Sequence, residues 1–476
     1  MRATKKNTLW LLAPLISGCF MAGPDYRQPQ TQLPANWSIA ETGDPAAKMA
    51  DINRWWTVFN DPVLTELIGK AQAGNQDLYQ AEARLREARA RRQLAKANLL
   101  PTSSLTASAR QSGSSEAAGG GGTTSELYSN SLDASWELDI FGKKRRAIEA
   151  AEATMQAAQE DLRDVLVSLC AEVALNYVDV RSYQTRLKIT EDNLAAQSET
   201  YDITRWRYQA GLTTQLDVDQ AKLTMENTRA GIPSLRSTLE QAKHRLALLL
   251  GQQPDTLKRL LAASARIPAA SVEIGVGIPA DLLRRRPDVR RAERKLASQT
   301  AQIGVAEAAR YPDFTLSGSI GLESLAYANL YTAGAKAFQV AANAAWTLLD
   351  AGRIRSNINI QNALQEQALG LYQSTLLTAL RDVENALTAY SEERKRRDAL
   401  NAAVEAGISA LALADAQYIS GLLDFQRVLD SQRSLLSAQT QLATSESEVA
   451  ADIVRLYKAL GGGWHANNNS EQADHE

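Results

Sequence analysis

Cysteine and histidine are scarce, at two and three in 476 residues. That leaves little for metal coordination or thiol chemistry. His465 and His475 lie in a polar C-terminal tail, so only His244 stands inside a patterned segment. Charge of one sign is missing too. A formal net charge of −2 and a pI near 6.1 argue against a nucleic-acid binder. Five methionines, Met1 among them, give no thioether track for Cu(I). The Gly-rich stretches Gly119–Gly122 and Gly461–Gly463 lack the lysine and the strand–loop–helix setting of a phosphate cradle. No catalytic constellation stands out, and an enzyme would have to run on carboxylates and hydroxyls. Disorder in bulk is excluded by a 45% hydrophobic and 22% charged composition.

What is present begins at the N-terminus. Arg2, Lys5 and Lys6 precede an apolar run from Leu9 to Ile16, too short to span a bilayer, and this reads as an export signal. Its end, Leu15-Ile16-Ser17-Gly18-Cys19, resembles the bacterial lipoprotein cleavage box. The resemblance implies removal of residues 1–18 and acylation of Cys19, a lipid anchor in place of any cofactor. Phe20 follows where an Asp would resemble an inner-membrane retention signal, which points to the outer membrane. Acyl chains on one cysteine suffice for stable anchoring, since each buried CH₂ contributes about 0.8 kcal/mol. Cys170 lies between Leu169 and Val173 on an apolar helical stripe and reads as a buried, inert thiol.

The chain repeats itself. Ala81, Glu82, Leu85 and Pro101 recur as Ala292, Glu293, Leu296 and Pro312; Trp136, Leu138 and Gly142 recur as Trp346, Leu348 and Gly352. Tyr208, Gly211, Leu212 and Val218 recur as Tyr418, Gly421, Leu422 and Val428, and Leu246, Leu250 and Gly251 as Leu456, Leu460 and Gly461. The offset stays at about 210 residues throughout, the mark of an internal duplication. The expected organisation is a signal peptide at 1–18, an anchored N-terminal segment at 19–74, repeat one at 75–251, a connector at 252–286, repeat two at 287–461 and a tail at 462–476. Each repeat reads as a helix, a β-hairpin (102–140; 313–350) and a helical hairpin (143–251; 353–461).

After Pro312, Phe314, Leu316, Gly318 and Ile320 alternate with Thr315, Ser317 and Ser319; later Phe338 to Leu348 alternate likewise. In the first repeat Leu132, Ala134, Trp136 and Leu138 alternate with Asp133, Ser135, Glu137 and Asp139. This period of two fits tilted transmembrane strands, apolar toward lipid and polar toward a lumen, as well as a soluble sheet with one covered face. Four strands cannot close a barrel alone, and open edges do not survive in hydrocarbon. Two chains would supply eight strands, enough only for a filled interior; an aqueous pore favours three or more chains.

From Lys143 to Ala210 there is neither Pro nor Gly, a stretch of about 100 Å as a straight helix. Leu162, Leu166, Leu169, Val173, Tyr177, Val180, Tyr183 and Leu187 step along it by three or four, a narrow coiled-coil seam. Repeat two echoes it from Arg353 to Ser420. Glu, Gln, Arg and Asp fill the intervals, so neither helix is a membrane span. Each ends at a tight turn, Tyr208-Gln209-Ala210-Gly211-Leu212 or Tyr418-Ile419-Ser420-Gly421-Leu422, and the chain returns.

Four elements resemble the TolC-like outer-membrane factor family, in the lipoprotein branch that serves resistance-nodulation-division efflux pumps. They are the Cys19 box, Trp55-Trp56-Thr57-Val58-Phe59-Asn60-Asp61-Pro62, Leu283-Arg284-Arg285-Arg286-Pro287-Asp288-Val289, and Leu456-Tyr457-Lys458-Ala459-Leu460-Gly461-Gly462-Gly463-Trp464. The resemblance implies a mixed α/β membrane protein: a homotrimer with four strands per chain in one transmembrane β-barrel, continued through the periplasm by a long α-helical barrel. It implies a periplasmic adaptor and an inner-membrane transporter at the tip, and outer-membrane lipid around the barrel. It also carries gate roles. Leu429-Asp430-Ser431-Gln432-Arg433 matches a family motif at the periplasmic constriction, which assigns Asp430 and Arg433. Tyr418, Asp424, Asp217 and Asp219 stand near the two tips and join them as candidates. Two departures concern the gate: Gln417 precedes Tyr418 where relatives often have Arg, and Gln426 stands where they place Leu. Three readings remain open at this point: an efflux exit duct, the exit duct of a protein-secretion system, and a periplasmic lipoprotein scaffold without a pore.

Overall fold

The structure is a computed structural model that describes residues 21–30, 52–270 and 285–464. The signal segment, Cys19, His465 and His475 lie outside the described residues, as does Leu283-Arg284 of the second family motif. After a 3₁₀ segment at Ile52–Phe59 come α1 (Pro62–Gly74), α2 (Gln76–Ala97), β1 (Thr102–Gly113), β2 (Thr124–Leu138), α3 (Lys143–Gln209) and α4 (Gln215–Leu249). The second series is α5 (Pro287–Ala308), β3 (Asp313–Ser324), β4 (Lys336–Ala345), α6 (Arg353–Ile419) and α7 (Phe425–Ala459). The long helices α3 and α6 have 67 residues each and the return helices α4 and α7 have 35 each. At 1.5 Å per residue, α3 and α6 are each about 100 Å long.

The described residues fall into two compact units. One holds residues 21–30, Arg84–Gln159 and Arg291–Gln373; the other holds 52–83, 160–270, 285–290 and 374–464.

The first unit carries the sheet. Its order is β1-β2-β3-β4, all antiparallel, so the two hairpins are joined through β2 and β3. The register turns the alternation into two coherent faces. Leu105, Leu132, Ile320 and Phe338 form one row across all four strands, and Ser104, Asp133, Ser319 and Gln339 form the neighbouring row on the opposite face. A slip of one residue in any strand would mix these rows. β4 is shorter than the alternation predicts. It ends at Ala345, and Trp346 instead turns its indole N–H onto the Arg310 carbonyl at 3.0 Å. Trp136 does the same toward the Leu99 carbonyl at 2.9 Å. These repeat-related tryptophans satisfy carbonyls just past the preceding helices, groups that have no intrahelical partner.

The second unit carries the main apolar core, and the described parts of the Trp55, Arg286 and Tyr457 motifs meet there. Trp55 is fully buried and stacks on Tyr457, centroids 5.6 Å apart. The Gly463 N–H donates to the Ile52 carbonyl at 2.9 Å. Arg286 donates to the Ala459 carbonyl at 2.8 Å and ion-pairs with Asp288 at 2.7 Å, which ties the start of α5 to the end of α7. Arg163 lies 4.6 Å over the Trp464 ring, and both Arg163 and Arg290 pair with Glu160. Asp61 caps α1 by accepting from the Val63 and Leu64 N–H groups, with Pro62 at the first helical position, where it forfeits no hydrogen bond.

Candidate functional site

The tips, within the second unit, are built by two repeat-related turns. Gly211 and Gly421 both sit at φ +72°, a left-handed conformation that glycine adopts without steric cost. In each turn the glycine N–H bonds back to the Tyr208 or Tyr418 carbonyl, and the next N–H to the Arg207 or Gln417 carbonyl. The return helices then start with different caps. Thr214 and Asp217 form a capping box on α4, whereas Asp424 caps α7 by accepting from the Arg427 N–H at 3.2 Å.

Two of the gate candidates are thus members of helix caps. Partial burial opposes ionisation of Asp217, but donors from the Thr213 hydroxyl, the Thr214 N–H and the Thr214 hydroxyl outweigh it and hold the carboxyl below the usual carboxylate range. Asp217 and Asp424 thus serve the first turns of their helices. Among the described residues Asp219 accepts from Gln215, at 3.1 Å, and Asp430 from Gln426, at 3.0 Å; both are exposed. Gln426, which replaces the expected leucine, is therefore a polar neighbour of Asp430. Arg433 reaches across to the buried Thr224 of α4 at 2.9 Å. Among the described residues, Asp219, Asp424, Asp430 and Arg433 form no ion pair within the chain, so Asp430 and Arg433 are not paired with each other.

Tyr418 packs inward from its turn. Its ring is buried in an apolar cluster with Ala221, Ala414, Phe425, Val428 and Leu429, and Arg207 stacks over it at 4.6 Å. It is a packing residue that links the two tips, and the arginine missing before Tyr418 is supplied through space by Arg207. Leu212, Leu216, Ile419 and Leu422 are all exposed around the turns.

In the first unit the sheet presents its apolar rows outward. Leu105 and Phe338 are 81% and 84% exposed, too large an apolar surface to leave to water. Tyr128, Tyr327 and Tyr331 gather at the loop end of the strands, while Trp136, Trp346, Phe141 and Tyr311 gather at the helical end. Two aromatic girdles bounding an apolar band are the interfacial pattern of a membrane barrel. The opposite face carries Asp133, Glu137, Asp313 and Glu323, with Lys143 3.5 Å from Asp313.

Cys170 is buried among core side chains, and desolvation pushes its thiol up to about 11. A thiol so raised is protonated and unreactive at neutral pH. Sequence reasoning missed Arg146. It is nearly fully buried and donates to the Ala22 and Gly23 carbonyls, Asp25 and Glu149, pinning residues 21–25. A lone arginine among Lys143-Lys144-Arg145-Arg146 gives no signal of this. The capping box was legible as Thr214-x-x-Asp217.

Comparison with known proteins agrees with this geometry. The family profile described as "Outer membrane efflux protein" matches residues 67–252 and 278–462. Nodulation protein T of Rhizobium leguminosarum bv. trifolii is 35% identical over 475 residues, 98% of each chain. The toluene efflux pump outer membrane protein TtgF of Pseudomonas putida is 31% identical, covering 95% of this chain and 96% of its own. Among solved structures, the outer-membrane channel OprN superposes with a TM-score of 0.88 at 37% identity, over 93% of this chain and 99% of that one. The chain belongs to the outer membrane efflux protein family. Its fold is that of the trimeric outer-membrane channels, in which a transmembrane β-barrel with four strands per chain is continued by a long α-helical barrel. It is an outer-membrane exit channel that extends into the periplasm.

Proposed function

From membership of that family, we propose that three copies of this chain form the exit duct of a tripartite efflux pump. The duct passively conducts small solutes delivered by an inner-membrane resistance-nodulation-division transporter, through a periplasmic adaptor. The observation that carries this reading is the open four-stranded sheet with one exposed apolar face. β1 and β4 each have a side unpaired among the described residues, and in hydrocarbon such groups must find partners. Pairing β4 of one copy with β1 of the next closes a twelve-stranded barrel, wide enough for a lumen lined by the Asp133 and Glu137 face. Conduction of this kind needs no catalytic group.

The exposed leucines Leu212, Leu216 and Leu422 offer the adaptor an apolar footing at the tips. Asp430 and Arg433 are the gate pair of this proposal. Copies of Asp430 gathered around an axis repel one another, and in this reading Arg433 of a neighbouring copy bridges them. Asp219 adds to the same field, while Asp217 and Asp424 act as caps and Tyr418 as packing. Cys19 carries the lipid anchor. Cargo is set by the transporter, in keeping with relatives named for toluene efflux and for nodulation.

The test is accumulation of a fluorescent dye and a panel of antibiotics in a strain lacking the gene, with and without its restoration. Accumulation that rises on deletion and falls on restoration supports the duct. No change in any compound, together with altered exported proteins, would replace efflux with secretion.

A further inference from the structure

The joint between α3 and α5 is occupied by the N-terminal segment. Ser298 of α5 donates to the Ala150 carbonyl of α3 at 2.9 Å. Nearer the sheet, the Ala22 N–H donates to the Phe141 carbonyl at 3.0 Å, Arg146 of α3 grips the Ala22 and Gly23 carbonyls, and Gly304 of α5 leaves room for the crossing. Further along, the Tyr26 hydroxyl donates to Glu293 of α5 at 3.1 Å. This segment leads back to Cys19, the proposed lipid anchor. The groove it fills therefore opens on the lipid side of the wall and not on the lumen.

The duplication makes the same joint a second time, between copies. α2 is the counterpart of α5, and α6 that of α3; pairing β4 of one copy with β1 of the next brings α2 beside α6 of the neighbouring copy. Here the means of holding a backbone segment are absent. Ser356 stands for Arg146, and Gln93 for Gly304. The charge differs as well: Arg89 and Lys96 of α2 stand where α5 has Thr300 and Glu307. Arg89, Gln93 and Lys96 are spaced by four and three, which puts them on one face of α2. It is the face on which the counterpart Gly304 meets the N-terminal segment, so it too looks outward. All three are exposed, and among the described residues neither Arg89 nor Lys96 has an ion pair within the chain, since Arg91 takes Glu87 and Arg92 takes Glu152. Glu82, the counterpart of Glu293, lies on the same face two turns before Arg89.

Depth decides what these cations meet. Trp136, in the aromatic girdle, bonds to the Leu99 carbonyl; Lys96 lies about 4.5 Å before Leu99 along the helix, and Arg89 about 10 Å further. The first is the level of the headgroups that border the hydrocarbon. The second is about a Debye length from them. We infer that the joint between copies binds an anionic phospholipid. Lys96 and Gln93 hold its phosphodiester, Arg89 adds to the field that draws it in, and its acyl chains enter the apolar band above the girdle. The lipid takes at this joint the place that residues 21–26 take at the other. The inference rests on the channel reading above, because the second wall of the groove belongs to another copy.

The test is lipid retention by the full chain in detergent, counted by native mass spectrometry after addition of phosphatidylglycerol, phosphatidylethanolamine or inorganic phosphate. The assembled ring should keep phosphatidylglycerol, one per copy, at detergent levels that strip phosphatidylethanolamine. Arg89→Thr and Lys96→Gln should each weaken that retention about fivefold, the effect of losing one cation at a membrane surface. Lys96→Glu, which places there the residue found on α5, should weaken it further. Both side chains are exposed, so no core is disturbed. Equal retention of the two lipids would mean an unselective lipid shell and overturn the inference. Full retention of phosphatidylglycerol by Arg89→Thr/Lys96→Glu would do the same. Displacement of the lipid by inorganic phosphate at equal concentration would make this a site for a free anion, and the lipid would be wrong. A wild-type chain that stays as single copies strikes the channel reading; a preference for phosphatidylglycerol kept by single copies would overturn the joint as its site.

Discussion

The Tyr177 hydroxyl donates to the Asp61 carboxylate at 2.6 Å and accepts from the Arg181 Nε at 3.0 Å. One phenol thereby joins the first family motif to the centre of α3. Burial and then the Asp61 bond push this phenol up to about 12. The folded state therefore holds its proton where an unfolded chain, titrating near 10, gives it up. This contribution is complete below about pH 10 and is lost as pH rises toward 12. Tyr177→Phe should cost about 1–3 kcal/mol at neutral pH, read as a lower Tm, because it leaves Asp61 and Arg181 short of a partner. It should also flatten the alkaline limb of the stability profile.

Asp430→Ala should raise single-channel conductance, since it removes one carboxylate per copy from the proposed constriction. Arg433→Ala should act in the same direction by freeing Thr224 and any bridged carboxylate. Wild-type conductance in both would remove the pair from the gate.

Asp217 separates capping from gating. Asp217→Ala should lower the stability of the α4 start by about 1 kcal/mol, measured by exchange in residues 214–220. Asp217→Asn keeps an acceptor and should leave conductance as in wild type. Because its folded carboxyl lies below the usual range, the Asp217 contribution is present above the ordinary carboxylate pKa and fades as pH falls through the folded value. Asp217→Ala should therefore lose the part of the acid sensitivity that this residue supplies.

Gly304 allows residues 22–23 to cross α5: a Cβ there would meet the Ala22 carbonyl at 2.8 Å and the Arg146 side chain at 2.7 Å. Gly304→Leu should expel this segment and expose it to protease, while the helices retain their circular dichroism. Arg146→Ala should do the same less completely, since the crossing itself survives. Resistance equal to wild type in both would show that the segment is held elsewhere.

Cys19→Ala should abolish labelling with radioactive palmitate. Continued labelling would place the acyl chains on another residue.

Much of this architecture was legible in the sequence because it rests on periodicity and duplication. Two in-register halves, a period of two before each long helix and glycines at matching turns suffice to give four strands and two helical hairpins. The end of β4 was not legible, because Trp346 continues the alternation while β3 begins at Asp313, opposite Ala345, and offers no partner beyond it. Nor were the roles of Asp424 and Tyr418. A carboxylate near a tip reads as charge, and only the backbone around it shows whether its oxygens are already occupied. The apolar steps of α3 visibly stop at Leu187, but which polar residues beyond it become buried, Thr190, Gln197 and Thr204, depends on a partner helix more than two hundred residues away.

The β2–β3 pairing has a consequence for how such a ring changes over time. Inside one chain it joins a hairpin to its duplicate; between chains, β4 and β1 would make the same kind of joint. A ring of three copies then contains six near-equivalent hairpins encoded by only two versions of the unit. Any substitution appears at alternate positions around the pore, and its unmutated counterpart stands on either side. The wall can thus acquire a new residue while half of its positions keep the old one, and a tip such as Asp424 can diverge from Thr214 without the ring losing its shape.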